Sequence, residues 1–316
     1  MTDAPLLRPG ARGEAVRKLR EGLRRAGFAC GPGDEYDAPA EEAVRAFQAQ
    51  RRLRVDGICG PETWGALEES RFSLGDRLLC ARTPMIRGDD VVDLQCRLDA
   101  LGYDAGRTDG IFGPQTEAAL VAFQRDAGIA VDRICGPETI AALGRLGTPA
   151  AASVAATRER DRLRRETTLL RGARLFVAGD VPSEFTTAIA AALTGRGADV
   201  VVGESGDPGE VAVRANSTDT AYVLYLTESE QNLTQCAYFA NAVTRSEAGY
   251  RIAVGIGAAL GGLGLDVADP EGRTSRVLRE TRMPAVVCEL SDPSLLGLPE
   301  AVAEGIRVAI ESDDAP

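Results

Sequence analysis

Among 316 residues there is no histidine. Imidazole is the usual general base near neutral pH and the commonest metal ligand. Its absence removes Ser-His-Asp and Cys-His catalysis and every histidine-held zinc site. Lysine is almost missing as well: Lys18 stands alone among arginines. The net charge of −11 leaves no cationic excess for gripping phosphates, so neither nucleic acid nor an anionic membrane surface is an expected partner. Long apolar runs are also lacking. The richest stretch, RIAVGIGAALGGLGLDV, is interrupted by glycine and too short to span a bilayer. The opening MTDAPLLRPGARGEAVRKLR has no apolar run of export-signal length behind a basic start. Direct membrane insertion is therefore not expected. The expected location is the cytoplasm, with any recruitment to the inner face of the membrane left to a partner.

Seven cysteines are present, an odd number, and no two are spaced as C-x-x-C. Both facts favour reduced, packed thiols over a disulfide framework or a zinc site. No cofactor is expected.

What the chain does have is repetition. ICGPET occurs at Ile58–Thr63 and again at Ile134–Thr139, and IFGPQT at Ile111–Thr116. Around these loops, RGEAVRKLREGLRRAGF (Arg12–Phe28) matches RGDDVVDLQCRLDALGY (Arg87–Tyr103). AVRAFQAQRRLRVDGICGPETWGAL (Ala43–Leu67) matches ALVAFQRDAGIAVDRICGPETIAAL (Ala119–Leu143). A period of this length marks tandem modules. Within each, helical spacing such as Val91, Leu94, Leu98 and Leu101, stopped by Gly102, predicts three short helices. The Gly-Pro turns suit helix starts, glycine supplying positive φ and proline an early helical position. The first copy writes DEYDAPAEEA where the second has GIFGPQTEAA, placing Tyr36 at the Phe112 position.

The combined pattern, R-G-x-x-V-x-x-L-x-x-x-L-x-x-x-G-[FY], D-G-x-x-G-P-x-T, A-[VL]-x-x-F-Q and a second G-P-x-T, resembles the bacterial peptidoglycan-binding module. That module is a small three-helix bundle found beside cell-wall hydrolases. The resemblance implies a shallow groove for muropeptide or glycan, bordered by Asp109, Gly110, Phe112, Gly113, Thr116 and Gln124, with Tyr36 and Gln48 in the first copy. Glycine-turn backbone and one aromatic platform suit such a ligand.

After a Pro/Ala-rich and then Arg/Glu-rich stretch, the chain changes to strands alternating with helices: RLFVAGD, FTTAIAAALTGRG, ADVVVG, AYVLYLT, a helical NLTQCAYFANAVTRSEAG, MPAVVCEL and LPEAVAEGIRVAIES. Such alternation predicts an α/β domain with a mostly parallel sheet covered on both faces. The expected organisation is multidomain: module 1 over 1–72, module 2 over 80–147, a partly helical linker over 148–173, and the α/β domain over 174–316.

Three segments in order, VRAN (Val213–Asn216), AYVLYLTES (Ala221–Ser229) and VLRETRMPAVVCEL (Val277–Leu290), resemble the zinc-dependent N-acetylmuramoyl-L-alanine amidases. In that family two histidines and a glutamate hold zinc, and a late strand carries a catalytic glutamate. The resemblance places Glu289 on the catalytic glutamate and the ligand positions on Asp180 or Val181, Glu184 and Thr227. With Asp180 the set is hard and oxygen-based, suited to magnesium or calcium if to any metal. Glu289 reads as a buried remnant held by hydrogen bonds or an arginine such as Arg214, rather than as a catalytic residue. Cys288, on the opposite strand face, is not its dyad partner.

Two such modules ahead of a degenerate amidase domain resemble the actinobacterial CwlM-type regulators of cell-wall synthesis. The resemblance implies a non-catalytic protein that controls peptidoglycan precursor production. Its implied partners are the enolpyruvyl transferase of the first committed step, the lipid II flippase, or a peptidoglycan fragment or muramyl-peptide precursor. The alternative is an N-acetylmuramoyl-L-alanine amidase, a peptidoglycan hydrolase, with an atypical metal site.

Overall fold

The structure, a computed structural model, describes residues 5–146, 169–229 and 233–311. The chain divides into two units, Met1–Arg158 and Glu159–Pro316. The greater part of the expected linker, 148–168, lies outside the described residues. Leu170 and Ala173, also assigned to that linker, are buried in the core of the second unit.

The first unit holds two three-helix modules. Module 1 comprises α1 (Glu14–Arg25), α2 (Ala38–Gln50) and α3 (Pro61–Glu69); module 2 comprises α4 (Asp89–Ala100), α5 (Pro114–Asp126) and α6 (Pro137–Leu146). Val16, Leu19 and Leu23 form one stripe of α1, and Val91, Leu94 and Leu98 form the matching stripe of α4, all fully buried. Each core contains the same edge-to-face aromatic pair. Phe28 meets Phe47 at 5.6 Å and 87°, and Tyr103 meets Phe123 at 5.6 Å and 88°. Two isolated antiparallel bridges stitch each module at equivalent points: Leu7 to Cys59 and Arg12 to Glu35, then Leu79 to Cys135 and Arg87 to Ile111. Between the modules, Arg51 of α2's C-terminal cap forms a bidentate pair with Asp89 at the start of α4, at 2.7 and 2.6 Å.

The second unit is a six-stranded sheet: β1 (Arg174–Asp180), β2 (Asp199–Val202), β3 (Tyr222–Glu228), β4 (Gln235–Phe239), β5 (Glu271–Arg273) and β6 (Ala285–Leu290). The spatial order is β2-β1-β3-β6-β4-β5. All neighbouring pairs are parallel except β4 with β6, so the sheet is mostly parallel but mixed. One face is covered by α7 (Ser183–Gly195), α9 (Glu247–Gly261) and α11 (Leu298–Glu311), the other by α8 (Pro208–Ser217) and α10 (Arg276–Glu280). The two faces draw alternate residues of each strand: Leu175 and Val177 go to one core, Phe176 and Ala178 to the other. Burial on both faces explains why these strands read as continuous apolar runs. Helices α9 and α11 approach closely enough that a Cβ on Gly255 would sit 2.4 Å from the Gly305 carbonyl oxygen.

NLTQCAYFANAVTRSEAG is not a helix. Its described part is the strand β4, followed by a turn and the Ser246 N-cap of α9. Cys236, Tyr238 and Ala240 enter one core while Ala237 and Phe239 enter the other. A short segment that is apolar on both faces carries no period with which to separate strand from helix.

Candidate functional site

The repeated loops are each held by one buried polar side chain. In module 1, Gln48 Nε2 donates to Asp56 Oδ1 (2.8 Å), the Ile58 carbonyl (3.0 Å) and Thr63 Oγ1 (3.2 Å), while its Oε1 accepts from Gly57 N at 2.9 Å. Gln124 makes the same set with Asp132, Ile134, Thr139 and the backbone of Arg133, at 2.8, 3.0, 3.0 and 3.1 Å. Gln95 repeats it from a different helix, with Asp109, Ile111 and Thr116 at 3.1 Å each and Gly110 N at 2.9 Å. At most 2 % of each glutamine is exposed. A buried primary amide needs its donors and acceptor satisfied, and the D-x-I-x-G-P-x-T loop supplies all of those partners.

At the fourth equivalent place the chain departs from the pattern. The loop before α2 has lost Gly-Pro, and Arg20 stands on α1 where Gln95 stands on α4. Its guanidinium donates to the carbonyl oxygens of Cys30, Gly31 and Glu35 and to Asp37 Oδ1, the last at 2.6 Å. Arg20 is 1 % exposed. Asp37 also caps α2 by accepting from Ala40 N at 3.1 Å. That capping bond, with further help from Arg20, keeps its carboxyl below the ordinary carboxylate range.

These contacts place every predicted groove residue. Phe112 is 1 % exposed and packs in the core of module 2, so it offers no platform to a ligand. Tyr36 is equally buried, with its hydroxyl donating to the Gly57 carbonyl at 2.7 Å. Thr116, Gln48 and Gln124 are enclosed in the loop-holding networks. Gly110 is buried at φ +75°, whereas Asp109 and Gly113 are half-buried at the loop surface. Gln95 and Arg20 escaped the sequence reading because they lie on the first helix of their module, farther in sequence from the loop they hold than Gln48 and Gln124 are from theirs. The Gln95–Asp109 pair is separated by 14 residues, against 8 for Gln48–Asp56 and Gln124–Asp132.

In the α/β unit, strand register brings four polar residues into one row: Asp180, Thr227 and Glu289 near the carboxyl ends of the parallel strands β1, β3 and β6, and Gln235 at the start of the antiparallel β4. Asp180 is paired with Thr227, Thr227 with Glu289, and Glu289 with Gln235. The carboxyl edge is where open α/β sheets place their ligands. Glu184 does not join the row: it is exposed on the first turn of α7. Asp180 is exposed and accepts from Ser205 Oγ at 3.4 Å.

Glu289 is held by an arginine, but by Arg273 rather than Arg214. Arg273 donates to Glu289 Oε1 (2.6 Å), Glu271 Oε2 (2.6 Å) and Gln235 Oε1 (2.7 Å). Side-chain exposure is 8 % for Arg273 and 13 % for Glu289. Burial by itself would lower the guanidinium pKa, but Glu289 and Glu271 outweigh it and the net shift is upward, so the cation is secure. Arg214 instead lies near Glu204 and Glu210 on an exposed flank, at 3.5 and 4.0 Å. Asn216, from the VRAN segment, joins α8 to the approach to β6: Nδ2 donates to the Glu280 carbonyl at 2.7 Å, and Oδ1 accepts from Arg282 N at 2.8 Å.

Residues 12–67 and 87–143 match the family model described as putative peptidoglycan binding domain. The chain is 39 % identical to N-acetylmuramoyl-L-alanine amidase CwlM of Mycobacterium tuberculosis, over 55 % of this chain and 46 % of that protein. This is a CwlM-like, amidase-related chain. It is also 31 % identical to N-acetylmuramoyl-L-alanine amidase CwlL of Bacillus licheniformis, over 44 % of this chain and 45 % of CwlL. The chain thus spans a little under half the length of these relatives. Among solved structures, the catalytic domain of the amidase CwlV from Bacillus (Paenibacillus) polymyxa aligns with 44 % of this chain and 96 % of that domain, at TM-score 0.34 and 16 % identity.

The residues of this CwlM-like chain do not fit the zinc that the amidase resemblance implies. The sequence has no imidazole to offer. Thr227 is a neutral hydroxyl, and Glu289 already faces a guanidinium at 2.6 Å. A divalent ion at that carboxylate would meet a like charge at contact range. Among the described residues no three His, Cys, Asp or Glu side chains form a metal-binding group. Likewise, no described helix is long and apolar enough to cross a membrane.

Proposed function

We propose that this protein is a non-catalytic, amidase-derived regulator of peptidoglycan precursor synthesis. In this reading the N-terminal modules bind a peptidoglycan fragment or muramyl-peptide precursor, and the α/β unit acts by protein contact in the cytoplasm. The observation that carries it is the Arg273–Glu289 pair, in which the carboxylate aligned with the amidases' catalytic glutamate is already held by an arginine. An amide bond is hydrolysed at useful rates when a metal polarises the carbonyl and brings the pKa of water down to about 7. No residue in the Asp180–Thr227–Glu289–Gln235 row supplies that function.

On the binding side, the matched modules support recognition of sugar-peptide. The half-buried Asp109 and Gly113, together with the turn backbone around them, are the groups the loop presents outward. Phe112, Thr116, Tyr36, Gln48 and Gln124 serve the groove by fixing its walls from inside. The regulated partners in this reading are those of CwlM-type proteins, the enolpyruvyl transferase and the lipid II flippase.

Two measurements on the full chain test the proposal. Calorimetric titration with UDP-N-acetylmuramyl-pentapeptide is expected to show saturable binding, weakened by Asp109→Ala. Incubation with soluble muropeptide and added zinc, magnesium or calcium is expected to release no stem peptide. Release that depends on Glu289 would establish the hydrolase reading instead.

A further inference from the structure

Cys236 and Cys288 face each other directly across the antiparallel β4–β6 pair. Their sulfur atoms are 3.1 Å apart. Both residues are sealed in the same core, at 1 % and 0 % exposure. Opposed residues in an antiparallel ladder have Cα atoms about 4.5–5.5 Å apart. That spacing lies inside the roughly 4.4–6.8 Å range that a disulfide accepts. The backbone is therefore already placed for a covalent bond, and only the sulfur separation has to shrink, to about 2.0 Å. The other five cysteines belong to the N-terminal unit.

We propose that Cys236 and Cys288 are a redox pair that closes to a cross-strand disulfide under peroxide. One thiol sulfur attacks hydrogen peroxide, becoming a sulfenic acid and releasing water. The second thiol then displaces the sulfenic oxygen, forming the S–S bond and a second water. Two thiols and one peroxide yield one disulfide and two waters, with each sulfur losing one electron and each peroxide oxygen gaining one. A small oxidant is required because nearly complete burial excludes a bulky disulfide donor.

The bond would span 52 residues of sequence. It would also fix β4 to β6 one rung from Gln235 and Glu289, the two β4–β6 residues that Arg273 binds. The proposal is independent of whether the chain is catalytic.

The test uses the full chain treated with one equivalent of hydrogen peroxide, then unfolded in guanidinium and alkylated. Of the seven cysteines, five are expected to take label, since two are consumed by the bond. Peptide mapping is expected to find Cys236 joined to Cys288, and dithiothreitol to restore all seven labels. The melting midpoint of the α/β unit should rise by about 5 °C on oxidation. Cys236→Ser should abolish the cross-linked peptide and the rise; if that variant folds poorly, Cys288→Ala gives the same readout. Seven labels after peroxide, a bond joining other cysteines, or sulfinic acid without cross-link would each overturn the proposal.

Discussion

The Arg273 guanidinium lies 2.6 Å from the Glu289 carboxylate, with both side chains largely withdrawn from water. Two more oxygens, from Glu271 and Gln235, complete the cation's surroundings. A buried ion pair of this kind adds little net stability, because desolvation offsets much of the attraction. Breaking it from one side is a different matter. Losing the arginine strands the Glu289 carboxylate, 13 % exposed, without its cation.

Arg273→Met is therefore expected to destabilise the α/β unit by about 3–5 kcal/mol. Glu289→Gln keeps a hydrogen-bond acceptor and should cost less, about 1–2 kcal/mol. Combining the two should recover part of the Arg273→Met loss. Urea unfolding of the four proteins measures the coupling, and strict additivity would show that the pair is not the unit described here.

The glutamine-held loops make a second prediction. Gln95→Ala strips partners from Asp109, Ile111, Thr116 and Gly110 together. A loss of about 2–4 kcal/mol in module 2 is expected, since buried groups left unmatched carry their full desolvation cost. Gln95→Glu should be at least as harmful, setting a second carboxylate against Asp109. A thermal midpoint unchanged in both variants would remove the glutamine from its assigned role.

Backbone conformation gives a third. The residue after the loop aspartate has φ of +71° at Gly57, +75° at Gly110 and +66° at Arg133. A side chain in this region costs about 1–2 kcal/mol, partly offset by the lower unfolded-state entropy of a non-glycine residue. Arg133→Gly is expected to stabilise the module by about 0.5–1 kcal/mol. Gly110→Ala should do the reverse and more, because its Cβ would sit 2.9 Å from Val92 Cγ2 and 3.2 Å from the Gly88 carbonyl oxygen. Denaturant midpoints read both signs.

The fourth prediction concerns alkaline pH. Burial, only partly countered by Arg97, pushes the Cys135 thiol up to about 12 from its ordinary 9.0. The folded state thus holds a proton that the unfolded chain releases. The stabilisation is complete below about pH 9 and disappears as pH climbs toward 12. Tyr36 and Cys59 are raised by burial in the same direction, so module 1 shares the trend. Melting followed from pH 8 to 11 should show a falling midpoint, with a shallower fall in Cys135→Ala. Equal slopes would discount the buried thiol.

Much of the fold is legible in the sequence. The period separating the copies, the Val91-Leu94-Leu98 stripe and the Gly-Pro helix starts give the modules directly, because three-residue and four-residue spacing is local information. The alternation of RLFVAGD, FTTAIAAALTGRG and ADVVVG likewise gives a parallel sheet with covering helices. The strand at Gln235–Phe239 is hidden, since both of its faces are buried and no polar beat marks a period. Phe112 misleads for a related reason. An aromatic in a glycine turn looks available to a ligand until the packing of α4 and α5 encloses it.

By itself the sequence determined the chemistry that is unavailable: with no histidine, no arrangement of this chain can assemble the amidase zinc set. It also determined that a glutamate would stand near the end of β6. Which cation faces that glutamate was decided only by tertiary structure. Arg273 and Glu289 lie on strands separated by β4, and Gln235 of β4 lies opposite Glu289. Strand order and register, both set by long-range hydrogen bonding and the burial of two sheet faces, bring them together where sequence spacing is silent.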